Sequence, residues 1–525
     1  MTARAIRVIP GAYRDSLLLL NATRVMTDNT GVSWASAAMA NPVVVADLAV
    51  RGFASEDLAG ADANALVLAA RAADGTAAES AVSRGLAVLF PAQGEPGEPA
   101  TPGRAAGEAS RLDQPGPRTV AAAVARLRRA NIAVVSVPGD YAALTAHRAL
   151  SAGLHVLLFS DNVSISAEVE LKERARRLGR LVMGPGAGTA FLGGVGLGFA
   201  NAVRPGPVGV LAAAGTGAQE VMALLDHWDI GVSHVIGVGG RDLTAAVGGL
   251  MAREAIGVLD ADPDTEAIVL VSKPPDPAVA SAVIGAAATT PVIAACLGLN
   301  LPDGVLAGAP LAPTLEQAAH RVAGLVGTPV PGLTDVPAEA VERAIGRIGA
   351  GRTAVRGFFT GGTLCYEAQV VLGERLGPVY SNIPLRPELG LPAPPGAHTC
   401  LDLGEEEYTS GRPHPMIDPA ARIEIMRSSA FDPEIAAVIV DVVIGFGSHP
   451  DPAGAIADLC ADIVSAGAAV VAYVLGARGD RQGIDEQRHK LAEAGVINTR
   501  SCAQAARVAA AIAARRPALA TAAPW

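Results

Sequence analysis

Two short glycine-threonine turns are the residues of this chain whose types and spacing most invite chemistry. Ala214–Glu220 reads AGTGAQE and Thr360–Ala368 reads TGGTLCYEA, each following an apolar run and each with a glutamate four residues beyond its last threonine or only threonine. Gly215, Thr216 and Gly217 in the first turn, and Gly361, Gly362 and Thr363 in the second, gather backbone N–H groups and a hydroxyl with little side-chain bulk. Such a turn suits an anion, because glycine permits close approach and the first amides of a helix lack intrahelical partners. A plainer reading makes Thr216 and Thr363 N-caps, with Gln219 completing a capping box in the first turn. The duplication of the turn favours a phosphate gripped from two sides.

Other candidates are looser. The stretch HTCLDLGEEEYTSGRPHPMIDPAAR, His398 to Arg422, concentrates charge, histidine and proline. Arg412 and Arg422 could fork a carboxylate or phosphate, and His414, set between two prolines, could move a proton or hydrogen-bond a leaving group. In the bland alternative this is a solvated loop in which Arg412 pairs with Asp418. VGGRDL offers Arg241 beside Asp242 on a glycine-rich turn, and VSKPP offers Ser272 and Lys273 at a strand end; each alone reads equally as a surface pair or a turn. His449 stands at a comparable strand end, while His147, His155, His227, His234, His320 and His489 read as incidental.

These residues need strands and helices to position them, and the chain supplies them as a repeat. PVGVLAAA leads into Gly215-Thr216-Gly217, and DPDTEAIVLV, PPDPA, TPVIAACLG and EQAAHRVAGLV follow in order; AVRGFFTGG, FDPEIAAVIV, SHPDPA, AAVVAYVLG and AQAARVAAAI match them step for step. Two homologous doubly wound domains are expected, 203–330 and 350–516. In both, the glycine-threonine turn joins the first strand to the first helix, at the carboxyl edge of a parallel sheet where ligands of such folds bind. Val221, Leu224, Leu225 and Trp228 give the first of these helices its i, i+3, i+4, i+7 apolar stripe. Upstream, 119–202 alternates strands and helices as a third α/β unit without a G-x-G-x-x-G loop, 93–118 reads as a flexible Pro-, Gly- and Glu-rich linker, and 1–92 reads as a small α+β module, ferredoxin-like or related.

The bulk numbers agree. At 525 residues several domains are expected, and 50% hydrophobic with only 3% aromatic residues suits buried parallel strands. A net charge of −10 without dense basic runs opposes nucleic-acid or lipid-surface binding. No apolar run reaches membrane-helix length, and MTARAIRVIPGAYRDSLLLL shows no leader cleavage pattern. Five scattered cysteines without a C-x-x-C pair fit a reduced cytoplasm, and the absence of an H-E-x-x-H motif leaves a metal site without support.

VPGDYAALTAHRALSAGLHVLLFSDNVS followed by MGPGAGTA resembles the CoA-binding domain of the succinyl-CoA synthetase α subunit, and the two repeats resemble the ligase domains of NDP-forming acyl-CoA synthetases. More narrowly, YRDS, LGFAN, GVSHVIGVGGRDL, SKPP, GGTLCYEA, GRPHPMIDP and DVVIGFGSHPDPA resemble the FdrA family. The resemblance implies a Rossmann-like CoA-binding-type domain and two flavodoxin-like domains. It also implies a subunit of oxamate carbamoyltransferase, which interconverts carbamoyl phosphate plus oxamate with oxalurate plus phosphate in allantoin breakdown, as an oligomer with partner subunits.

Departures from the synthetases shape what is expected. Their phosphorylated histidine sits in a Gly-His-Ala loop, which reads GLNLPDGVLAGAPLAPT here and holds no histidine; Ala187 stands where relatives usually show cysteine, and Gly186 replaces their acidic or amide residue. No segment is left over for an ATP-grasp module. Carbamoyl transfer needs no cofactor, neither metal, nucleotide nor CoA: the two turns would hold the phosphate, Lys273 would join them, Arg241, Arg412 and Arg422 would take the substrate carboxylate, and His414 would serve the proton or a hydrogen bond. The alternatives are a CoA-dependent acyltransferase resembling the synthetases, which phosphorylation by ATP would favour, and a non-catalytic scaffold for partner subunits.

Overall fold

The computed structural model describes residues 3–521 apart from 13, 15, 41, 55, 59–60, 62–64, 91–116, 118, 331–337 and 410–411. Of the stretch read as a linker, 93–118, all but Pro117 lies outside the described residues. The chain divides into two compact units, Met1–Gly116 with Thr409–Pro413, and Pro117–Tyr408 with His414–Trp525.

The first unit alternates β1 (Ala3–Ile9), α1 (Ser16–Thr27), β2 (Val32–Met39), α2 (Pro42–Val50), β3 (Leu66–Ala72) and α3 (Gly75–Leu89). Its sheet has the order β1-β3-β2, with β3 antiparallel to both neighbours. The LVLAARA run of β3 is apolar because both of its faces are covered. Leu66, Leu68 and Ala70 pack with Leu19, Met26 and Val82, while Val67 and Ala69 pack with Leu48 and Phe53. Asp74 caps α3 by accepting the Ala77 amide.

The second unit opens with α4 (Val120–Arg126), β4 (Ile132–Val135), α5 (Gly139–Ser151), β5 (His155–Leu158), α6 (Ile165–Arg177) and β6 (Val182–Met183), whose strands make a parallel three-stranded sheet. The hairpin β7 (Thr189–Leu192) and β8 (Val195–Gly198) leaves this sheet and joins the next one, where Phe191 pairs with Val235.

The first repeat comprises β9 (Pro205–Ala212), α7 (Gly215–His227), β10 (Val232–Gly237), α8 (Leu250–Ala261), β11 (Ala267–Ser272), α9 (Pro277–Ile284), β12 (Val292–Cys296), the short pair β13 (Val305–Leu306) and β14 (Ala309–Pro310), and α10 (Leu315–Leu325). After α11 (Ala338–Arg347), the second repeat comprises β15 (Ala354–Phe359), α12 (Gly362–Leu376), β16 (Val379–Ser381), β17 (His398–Asp402), α13 (Glu406–Thr409), α14 (Ala420–Ser429), β18 (Ile435–Val443), α15 (Pro452–Ser465), β19 (Ala469–Leu475), α16 (Ile484–Glu493), β20 (Ile497–Thr499) and α17 (Cys502–Ala513).

The two sheets run β12-β11-β9-β10-β7-β8 and β16-β17-β15-β18-β19-β20. Matching β9 with β15, β11 with β18 and β12 with β19 superposes their strand orders, as the sequence repeat requires. β11, β18 and β19 are buried along their whole length, consistent with parallel strands covered on both faces. One apolar core joins α7 and α10 of the first repeat to α12 and α17 of the second, between the two sheets. α17 is buried from end to end; its alanine-rich sequence, CAQAARVAAAIA, is what lets a helix fit there. The pairing of the repeats therefore sets where α7 and α12 begin.

Candidate functional site

Both glycine-threonine turns start helices without a side-chain cap. The N-cap of α7 is Ala214 and that of α12 is Gly361, and neither helix start has a side-chain capping bond. The plainer reading of Thr216 and Thr363 as N-caps does not hold: both lie inside the first turn, and Gln219 donates to Asn201 at 3.3 Å instead of closing a capping box. The two starts meet. A methyl group on Gly361 would collide with the Thr216 side chain, whose Oγ1 is 2.7 Å from that position, and one on Gly217 would come 2.8 Å from Cγ2 of Thr363. The threonines are buried, at 7% and 3% exposure, whereas Gly215 is exposed and Gly362 half-buried. Access to the paired starts thus runs through the first residue of each helix.

The glutamate four residues past each threonine ties the repeats crosswise. Glu220 on α7 accepts the Cys502 amide at the start of α17 (3.0 Å), and Glu367 on α12 accepts the Leu315 amide at the start of α10 (2.7 Å). Each carboxylate thereby serves the last helix of the other repeat. The second oxygen of each is buried with no protein partner. Burial pushes both carboxyls well up, with mutual repulsion adding to the shift of Glu220.

Around Gly362 three polar side chains converge. Oδ2 of Asp402 occupies the space a side chain at 362 would need, and Lys273 Nζ lies 3.2 Å from the same point. A methyl on Gly404 would come 2.7 Å from Nε2 of His414 and 3.2 Å from Oδ1 of Asp402. Asp402 closes β17; its backbone is bracketed by the Asn382 amide and its Oδ1 accepts the Gly404 N–H at 3.0 Å. Burial pushes its carboxyl up to about 7, against the pull of Lys273. His414 is pushed down to about 4 by burial. Its Nδ1 accepts the Met416 amide across Pro415 (3.2 Å), so the neutral ring carries its proton on Nε2. Lys273 follows β11, is 39% exposed, and lies 3.9 Å from Glu405.

A second aspartate, Asp441 on β18, is already engaged. It accepts from the amides of Thr360 (2.9 Å) and Gly361 (3.2 Å) and from the Thr360 hydroxyl (3.1 Å). Arg422 holds it at 3.2 Å and donates to the Asp441 and Phe358 carbonyls. Arg422 is 3% exposed, so its assignment to a substrate carboxylate is corrected: its guanidinium braces β15 and β18 from inside. Arg241 is anchored but accessible. Glu168 takes its Nε and Nη2 at 2.9 and 2.8 Å, Val163 O takes Nη2, and the side chain stays 42% exposed. Glu168 also binds buried Lys172, which in turn binds Asp242. Arg412 is exposed and belongs to the Thr409–Pro413 stretch grouped with the first unit, so the site is built without it. Sequence reasoning missed Asp402 and Asp441, both on strands of the second repeat at the edge where α12 begins.

The turn MGPGAGTA follows β6. Oδ1 of Asp161 stands against Gly186, and burial together with Glu405 and Glu406 pushes the Asp161 carboxyl up.

Comparison with known proteins agrees with this architecture. Residues 358–512 match the family described as CoA-ligase, and residues 1–101 match the one described as AllF, heavy metal-associated domain. The chain is 41% identical over 393 residues to the uncharacterized protein YahF of Escherichia coli K12, covering 72% of this chain and 76% of that one. It is 28% identical over 229 residues to the ADP-forming sulfoacetate-CoA ligase subunit SauD of Bilophila wadsworthia, covering 42% and 72%. With the malate–CoA ligase α subunit of Methylorubrum extorquens it shares 30% over 221 residues, covering 39% and 73%. The chain is thus a CoA-ligase-type protein, and it belongs to the family of YahF. Residues 1–101 contain neither cysteine nor histidine. Among the described residues no helix is long and apolar enough to cross a membrane.

Proposed function

We propose that the chain is a subunit of an oxamate carbamoyltransferase, acting in the cytoplasm with partner subunits on carbamoyl phosphate and oxamate, or on oxalurate and phosphate in reverse. The observation that carries this reading is the meeting of two uncapped helix starts beside Lys273. The amides of the leading turns of α7 and α12, from Gly215, Thr216 and Gly217 and from Gly362 and Thr363, supply donors for a phosphate, and Lys273 supplies a positive charge. Gly361 contributes by its lack of a side chain, since its own amide is spent on Asp441. Phosphate is both the handle and the leaving group of carbamoyl phosphate, so one cradle binds the donor and takes up charge as the bond breaks.

His414 adds a neutral Nε2–H donor at the same place, suited to a phosphate oxygen. Arg241 is held by Glu168 with its side chain 42% exposed; we assign it to the oxamate carboxylate. The missing histidine in the 298–314 loop supports a reaction without a phosphohistidine relay. Resemblance to the FdrA motifs and the AllF-type amino-terminal match support the same assignment.

The test is to purify the chain with and without its partner subunits and follow phosphate-dependent cleavage of oxalurate. Carbamoyl phosphate release from the assembled complex is the expected result. CoA-dependent product, or labelling of the chain by ATP, would favour an acyl-CoA synthetase-like reaction instead.

A further inference from the structure

Carbamoyl transfer to an amide needs a base that the cradle itself does not provide. The amide nitrogen of oxamate is a poor nucleophile until its proton is taken, and the phosphate leaves better once it gains one. Among the groups around Gly362, His414 has its Nδ1 turned to the Met416 amide and presents a proton donor, not an acceptor. Asp441 is spent on Thr360, Gly361 and Arg422. Asp402 remains, with Oδ1 on the Gly404 amide and Oδ2 directed to the half-buried first residue of α12.

Resting on the carbamoyl-transfer reading, we propose that Asp402 is the proton carrier of the reaction: its Oδ2 takes the proton from the attacking amide nitrogen and returns it to the departing phosphate. The new N–C bond forms as the C–O bond to phosphate breaks. The proton lost from nitrogen passes through Asp402 to the phosphate oxygen, so the carboxylate ends as it began and no other reactant is needed. Lys273 and His414 stand beside it as donors to the phosphate oxygens. Glycine at 362 and at 404 is required because any side chain there would fill the space these three groups share.

The charged and titratable groups facing Asp402 are Lys273 from the end of β11, Glu405 ahead of α13, Tyr408 on α13, Cys365 on α12, His414, and Asp441 on β18. Burial, Glu405 and Asp441 favour the protonated acid, and Lys273 with the Gly404 amide favours the carboxylate. This balance holds the group near the pH at which a carrier must both accept and release a proton.

Two measurements test the proposal on the full chain assembled with its partner subunits. The first is the pH profile of kcat for wild type and Asp402→Asn, which keeps the shape and the acceptor for Gly404. The expected result is a 10²- to 10⁴-fold fall in kcat with KM changed far less, and loss of an acid limb near pH 7. Turnover within threefold of wild type with the same profile overturns the role of Asp402 while leaving carbamoyl transfer intact. The second is proton exchange on binding sulfate, a phosphate-like oxyanion that carries no proton of its own near pH 7, read by calorimetry in buffers of different ionisation enthalpy. Wild type should take up protons near pH 7 and Asp402→Asn should not, an outcome that supports Asp402 even if the complex proves inactive on oxalurate. Equal proton uptake by the two proteins overturns the proposal.

Discussion

The side chain of Thr216 covers the N-cap glycine of α12, Gly361, and the side chain of Thr363 covers Gly217 in the first turn of α7. This contact sets the start of one helix against the start of the other, and it exists only because the residue facing each threonine has no Cβ. Replacing Gly361 by alanine forces a collision with Thr216 in a core that has no slack. The expected cost is about 1–3 kcal/mol in chemical denaturation, together with weaker phosphate binding. An unchanged midpoint would show that the two starts are free to part.

Arg422 is a brace. Its pair with Asp441 is buried between α14 and β18, so Arg422→Met leaves Asp441 with no counter-ion. Loss of about 3–5 kcal/mol is expected by denaturant titration. A variant of full stability with a raised KM for oxamate would return Arg422 to the substrate.

His414 is neutral in the working range, because burial holds it down to about 4. Its Nε2–H is expected to act as a fixed donor, so His414→Ala lowers kcat by about 10²- to 10³-fold. The fold-change should stay constant between pH 6 and 8, since the ring does not titrate there. A loss that varies with pH around 6.5 would mean that the ring exchanges a proton during turnover.

The crosswise pair Glu220 and Glu367 makes stability depend on pH. Both folded-state pKa values are raised, so the folded state holds protons that the unfolded chain has released. Their contribution is fully present below the ordinary glutamate pKa and is lost as pH rises through the raised values. Each carboxyl contributes a slope of up to about 1.4 kcal/mol per pH unit within that window. The double variant Glu220→Gln, Glu367→Gln is expected to flatten the fall in thermal midpoint between pH 5 and 8, and a slope as steep as wild type would contradict the assignment.

Much of this was legible in the sequence. The five ordered matches between the repeats reappear as equivalent strands and helices, because parallel strands buried on both faces read as continuous apolar runs. The turns are legible for the same reason: glycine before a helix is a local signal. What stayed hidden is what folding brings together from afar. Arg422 reads as a surface fork in sequence and proves buried because Asp441, nineteen positions on, turns inward beside it. Asp402 was overlooked inside a charged loop, yet it closes a strand at the ligand edge of the sheet, and that position was the available clue. The glutamates after the threonines were visible as a pattern, but their partners lie 282 and 52 residues away.

The central claim is that the paired starts of α7 and α12 bind an oxyanion through their amides, and Gly215 offers a clean way to remove one. Proline is tolerated at the first position of a helix. Ala214, at φ −155° and ψ 106°, already has the extended backbone that a following proline requires, and the nearest atom to a Cβ at 215 is Thr189 Oγ1 at 3.5 Å. Gly215→Pro therefore deletes a single N–H donor and leaves the helix in place. Calorimetric titration with inorganic phosphate should show one site per chain in wild type and an affinity about tenfold weaker in the variant at unchanged thermal midpoint. Equal affinity in the two proteins, or no saturable binding by wild type, would contradict the account.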